Sequence, residues 1–239
     1  MVTEFNDKMD NILEAKEIRK SYLNKKALRG VNLNIPLGKI VGLLGPNGSG
    51  KTTFLKIAAG ILHQSKGEIL IDGHIPGVHT KSVVSYLPDN EYLLKWMKVK
   101  DAVKYFKDFY SDFDEIKAEE LLVFMNLDKN DTVKSLSKGM KEKLKLSLVL
   151  SRKAKLYILD EPLGGVDPTA REKILNAIVN NFSKDSSMII TTHLVNDIER
   201  IFDDVAFISE GEIVLEGNAE ELRTSRKKSI DELYREVFQ

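Results

Sequence analysis

Residues 45 to 53 concentrate side chains and backbone suited to a polyanion: Gly45-Pro46-Asn47-Gly48-Ser49-Gly50-Lys51-Thr52, followed by Thr53. Glycines let backbone amides turn inward on phosphates. A helix starting here would add its N-terminal dipole, Lys51 could reach β- and γ-phosphates, and the Thr52 hydroxyl could ligate magnesium. All four positions specified by the phosphate-loop pattern are filled. With Gly at about 7% of residues, an ordinary glycine turn would fill them by chance in roughly one chain in a hundred. The expected ligand is therefore a nucleoside triphosphate.

A second candidate is Lys155-Leu156-Tyr157-Ile158-Leu159-Asp160-Glu161-Pro162, an apolar run closing on two adjacent carboxylates. On a strand, alternation would point the two in different directions. Asp160 is expected to hold the magnesium shell and Glu161 to polarise the water that attacks the γ-phosphate. This chemistry belongs at the C-terminal edge of a parallel sheet, where α/β proteins place ligands.

The elements needed to position these groups can be read from periodicity. A strand-like run from Lys39 enters the glycine-rich segment, and Lys51 to Ala59 reads as a helix stopped by Gly60. Short β-type runs occur at Val31 to Ile35, Glu68 to Ile71 and Val83 to Leu87, and again at Leu156 to Leu159, Met188 to Thr191, Val205 to Ile208 and Glu212 to Leu215. Helical spacing dominates from Val99 to about Leu150, and helices are expected over Pro168 to Phe182 and Leu194 to Phe202. The pattern implies an α/β domain, parallel strands joined by helical crossovers, with a helical insert.

Composition narrows the function class. The 239 residues suit one ordinary domain and exclude two complete ATPase modules. Thirty-six Lys plus Arg balance 36 Asp plus Glu, so nothing in the overall charge suggests a generally basic nucleic-acid binder, and the absence of Cys fits a reducing cytosol. The start carries Glu4, Asp7 and Asp10 and no apolar secretory core. The longest apolar runs, such as Ile40 to Leu44, are far short of the roughly 20 residues that span a bilayer. Work at a membrane would have to pass through a partner.

From about Leu13 to Gly217 the chain resembles the ATP-binding cassette ATPases. Leu136-Ser137-Lys138-Gly139-Met140 resembles the family's signature motif, and Leu163-Gly164-Gly165-Val166-Asp167 resembles the loop that crosses its dimer interface. His193 resembles the switch histidine, Tyr22 the aromatic that stacks on adenine, and Leu87-Pro88-Asp89 the loop that normally offers glutamine. The resemblance implies a RecA-like phosphate-loop core with an antiparallel β subdomain (about 1–85 and 151–217), a helical subdomain (about 86–150) and a helical tail (about 218–239).

It also implies two head-to-tail subunits, homodimeric or heterodimeric, closing around two ATP. Each would present Ser137, Gly139 and Asp167 to the ATP of the other. Asp89 would join Thr52 and Asp160 around magnesium, and His193 would hold the attacking water with Glu161. The implied partner is a transmembrane permease at the cytoplasmic face of the plasma membrane, met by the aromatic-rich helical lobe. The variant signature looks most like bacterial exporters of the ABC-2 type. The alternative is a cytosolic cassette acting on nucleic acid or ribosomes, whose relatives usually carry two cassettes, coiled coils or zinc fingers. Two departures stand out: Lys138 and Met140 replace glycine and glutamine in the signature, and Asp89 replaces glutamine. Lys138 either adds a cation near the opposing phosphates or is solvated on a basic helix face with Lys141, Lys143 and Lys145.

Overall fold

In the computed structural model, which describes residues 11–23 and 25–238, two long strands come first, β1 (Asn11–Tyr22) and β2 (Lys25–Pro36). The acidic start with Glu4, Asp7 and Asp10 lies outside the described residues. β3 (Ile40–Leu44) leads through the glycine-rich loop into helix α1 (Lys51–Ala58), and β4 (Lys66–Ile71) returns to pair with β1. Helix α2 (Val78–Val83) and β5 (Val84–Leu87) precede the helical stretch of α3 (Val99–Phe109), α4 (Glu115–Phe124) and α5 (Lys138–Leu150). Next come β6 (Leu156–Asp160), α6 (Pro168–Asn181), β7 (Ser187–Thr192), the single-turn α7 (Val195–Ile198), β8 (Asp204–Ser209), β9 (Glu212–Asn218), α8 (Ala219–Arg226) and α9 (Ile230–Phe238).

These strands form two sheets. One is antiparallel in the order β2-β1-β4; the other runs β5-β6-β7-β3-β8-β9, parallel from β5 through β8, with β9 antiparallel at its edge. The α/β class, the antiparallel sheet and the helical insert are thus all present. Register aligns the strand ends: Leu44 pairs with Thr192 and Asp160 with Thr191, so the C-terminal ends of β3, β6 and β7 lie side by side at one edge.

The parallel strands are buried on both faces, which explains why they read as continuous apolar runs and not as alternation. In β3, Val41 and Leu43 join a cluster with Phe54, Leu55 and Ile57 of α1, while Ile40 and Leu44 join the cluster on the opposite face. Leu156 and Ile158 of β6 divide from Tyr157 and Leu159 in the same way. Gly42 is required in mid-strand, because a Cβ there would come within 2.8 Å of the Phe202 ring.

One expected helix needs revision. The helix expected over Leu194 to Phe202 is only α7 followed by a 3-10 turn, Glu199–Ile201, because Phe202 turns extended to lay its ring on Gly42. The Glu199 carbonyl accepts the Phe202 N–H that closes this turn and a hydrogen bond from Arg223 of α8. The tail is two helices, and α9 packs on its own domain: Ile230 and Leu233 are buried, and the rings of Tyr234 and Phe238 lie 6.1 and 5.9 Å from that of Phe207. In the helical stretch Phe106 is core, with Tyr92, Tyr110 and Phe113 packed against that core, whereas Trp96 and Phe109 are exposed.

Candidate functional site

At the end of β3 the backbone turns through positions that only glycine can occupy. A Cβ on Gly45 would meet the Ile208 carbonyl at 2.3 Å; Gly50, which caps α1 at φ 114°, would place one 2.7 Å from the Ala27 carbonyl. Gly48 is also left-handed, at φ 83°. The resulting cradle carries Lys51, whose ammonium is buried and donates to the carbonyls of Gly45 at 2.6 Å and Pro46 at 3.1 Å. Burial pushes its pKa down, while Glu161 and Asp160 pull the other way.

At the neighbouring strand ends the two carboxylates meet partners that no linear motif announces. Asp160 is buried, and its Oδ1 accepts from the Thr191 hydroxyl at 2.7 Å. Its Oδ2 is buried without a partner. Desolvation raises the Asp160 pKa above the ordinary carboxylate value; the Thr191 and Thr52 hydroxyls oppose this, and Asp89 and Glu161 add to it. Glu161 lies one residue beyond β6 at φ 52°, with its N–H donating to Thr191 at its carbonyl and hydroxyl, both 3.1 Å. Asp160 ends the strand and Glu161 lies just past it, in a left-handed turn and not in the alternating strand expected for both. The Glu161 carboxylate accepts from the His193 backbone N–H at 3.2 Å and contacts His193 Nδ1 at 2.8 Å.

A cavity of about 260 Å3 joins the loop residues Asn47, Gly48 and Gly50 through Thr53 to Tyr22, Asp89 and Glu161. Tyr22 stands half-exposed at its rim, with the Lys20 ammonium 5.3 Å from its ring centroid. Asp89 is exposed, and the buried Lys145 ammonium faces the backbone carbonyls of Pro88 and Asp89, each at 3.5 Å. Lys145 is thus no part of a solvated basic face: it is fully buried and paired with Glu142 at 2.9 Å.

Among the described residues, Asp160 and His193 stand behind this lining, against Thr52 and Glu161, whereas Ser137, Gly139 and Asp167 neither line the cavity nor bond a residue that does. Ser137 caps α5, its hydroxyl accepting from the Met140 N–H at 3.2 Å. Asp167 caps α6, accepting from the Ala170 N–H at 3.0 Å, and a Cβ on Gly139 would stand 3.9 Å from its carboxylate. Two helix N-termini, each a favourable place for an anion, are therefore presented together. Lys138 runs across Gly165, whose missing Cβ would collide with the ammonium; at φ 66° this position also favours glycine for its backbone.

The donor set fits magnesium. Thr52 and Asp89 line the cavity with oxygen donors, and the buried Oδ2 of Asp160, whose carboxylate lies beside the Thr52 hydroxyl, adds a third hard oxygen ligand. Among the described residues no group of three or more His, Cys, Asp and Glu side chains is arranged to hold a metal alone, so phosphates and water would complete the shell. Sequence reasoning missed Thr191, which bonds the Asp160 carboxylate and the Glu161 backbone N–H, since only strand order brings it beside Asp160.

A family profile described as ABC transporter matches residues 28–164. The lantibiotic transport ATP-binding protein SrtF of Streptococcus pyogenes is 31% identical over 207 residues, covering 86% of this chain and 90% of that protein. A solved ATP-binding subunit of an ABC transporter superposes with a TM-score of 0.84 at 27% identity, covering 95% of this chain and 99% of the other. A dimeric ATP-binding cassette in a post-hydrolysis state, bound to ADP and phosphate, shares the fold with a TM-score of 0.77 at 22% identity, covering 86% and 98%.

Proposed function

Because the chain belongs to the ABC transporter family, we propose that it is the ATP-hydrolysing subunit of such a transporter, dimerising around two ATP and driving a separate transmembrane permease from the cytoplasmic face of the membrane. One observation carries the reading: a single sheet edge gathers the Lys51 cradle, Asp160, Glu161 and His193, while the capped N-terminus of α5 sits outside that cavity, free to serve a neighbour. In this reading the cradle grips the β- and γ-phosphates, and Tyr22 stacks on adenine. Thr52 and Asp160 hold magnesium, with Asp89 beside them; the ion would neutralise developing charge on the phosphates. Glu161 takes the proton of the attacking water. His193, on the same carboxylate, holds it in line and senses the γ-phosphate. Ser137, Gly139 and Asp167 of the second subunit close the other side.

Among the described residues no helix is long and apolar enough to cross a membrane; the segment of about 86–150, with Trp96 and Phe109 exposed, is the proposed contact with the permease. The core is proposed to span about 1–85 and 151–217, with the tail from about 218. Transport is supported by the likeness to SrtF, a lantibiotic transport protein. Export rests on the Leu136–Met140 form of the signature. Purification of the full chain from its native membranes is expected to bring down a multi-spanning membrane protein in fixed ratio, with ATP hydrolysis. Co-purification of RNA or ribosomes instead, with hydrolysis responding to them, would overturn this reading.

Asp160 offers a second check. Its raised pKa means that the native state takes up a proton more readily than the unfolded chain, so stability falls as pH rises from the ordinary carboxylate value through the raised one. Asp160→Asn keeps the acceptor for Thr191 and removes the buried charge. It is expected to raise the melting temperature by a few degrees while magnesium-dependent hydrolysis falls at least about a hundredfold. Calorimetry and a phosphate-release assay measure the two effects.

A further inference from the structure

We infer that Arg171 is a positioning residue for the reaction, a strut that locks the interface loop and the histidine-bearing turn together around Glu161; the inference rests on the hydrolytic reading above. Its Nε donates to the Val166 carbonyl at 2.9 Å and its Nη1 to Asp197 Oδ2 at 2.7 Å. These two bonds close a ring of contacts. From Glu161, whose carbonyl accepts from Gly164 N–H at 2.9 Å, the ring follows the loop to Val166, crosses Arg171 to Asp197, and descends α7 to His193, which returns to the Glu161 carboxylate at 2.8 Å.

Three observations make the strut more than a surface ion pair. Glu161 is held at φ 52°, a conformation that a non-glycine residue keeps only when its surroundings over-determine it. The turn presenting His193 leads into a helix of only four residues without a side-chain cap, too short to fix its own orientation. Finally, the planar Arg171 guanidinium holds the Val166 carbonyl and the Asp197 carboxylate at once along fixed, diverging directions. The pair is also part-exposed, with side chains 26% and 32% accessible, so its contribution to global stability is small and its loss should be local.

The test uses the purified full chain. Arg171→Met, which keeps the stem and loses both bonds, is expected to lower kcat on the order of tenfold while ATP affinity stays within about twofold, since the cradle is untouched. Arg171→Lys should recover only part of the loss. In a His193→Ala background Arg171→Met should cost little more, because both act through the same carboxylate. The His193 imidazole resonances, assigned by their disappearance in His193→Ala, should move in Arg171→Met toward their values in Glu161→Ala. Unmoved resonances, fully additive losses in the cycle, or an equal fall in ATP affinity would each overturn the strut. Should Arg171→Met fail to fold, the isosteric Asp197→Asn carries the same measurements. A wild-type chain without ATPase activity would sink the proposed function, yet the imidazole resonances would still judge the strut.

Discussion

Glu161→Gln is expected to bind ATP with unchanged affinity and to lose turnover by roughly a hundredfold to ten-thousandfold, the range attributed to a positioned general base. The amide is isosteric, so the backbone bonds from Glu161 N–H to Thr191 and the left-handed turn survive, and its oxygen can still accept from the His193 N–H. What it cannot do is take a proton from water. With chemistry stopped, the ATP-bound dimer should accumulate and be visible by light scattering in ATP and magnesium. Turnover at the wild-type rate would remove Glu161 from the role of base, and loss of ATP binding would show that the carboxylate serves the cradle.

The second large effect concerns the sharing of sites. Lys51→Ala removes the buried ammonium proposed to grip the phosphates, and its loss should cost about 3 kcal/mol, or on the order of a hundredfold in ATP affinity. Ser137→Arg should leave ATP binding to the single subunit intact but block the second subunit's closure, because the bulky side chain fills the capped N-terminus of α5. Neither chain alone should hydrolyse ATP. Mixed, they pair the intact cradle of the Ser137→Arg chain with the intact α5 cap of the Lys51→Ala chain, and turnover should return to at most about half of wild type if the sites act independently. A mixed dimer demonstrated by native mass spectrometry but without activity would count against catalysis shared between subunits.

Much of this was legible before any fold was known, because the chemistry is local in the chain. The eight residues from Gly45 to Thr52 build their cradle from their own backbone angles, and an apolar run ending in Asp160-Glu161 places carboxylates at the end of a strand whatever its neighbours are. The N-cap at Ser137 likewise depends on a few adjacent residues. Harder to read were features created by contacts across the chain. Lys145 reads as one more solvated lysine in a basic stretch, yet α5 turns it inward against Glu142 beneath the Asp89 loop. The tail's apolar stripe at Ile230, Leu233, Tyr234 and Val237 fits equally a home core or a neighbour; the structure buries Ile230 and Leu233 and sets Tyr234 on Phe207, while Val237 stays exposed.

The sequence by itself determined the phosphate cradle, the acidic strand end and the alternating α/β order, since each is written in residues close enough to interact through a few backbone torsions. Tertiary structure alone decided that Thr191 bonds Asp160, that Glu161 turns left-handed toward His193, and that Arg171 ties Val166 to Asp197. Strand order sets those neighbours, and strand order follows from burying both faces of the sheet, a property of the whole chain that no short stretch of it contains.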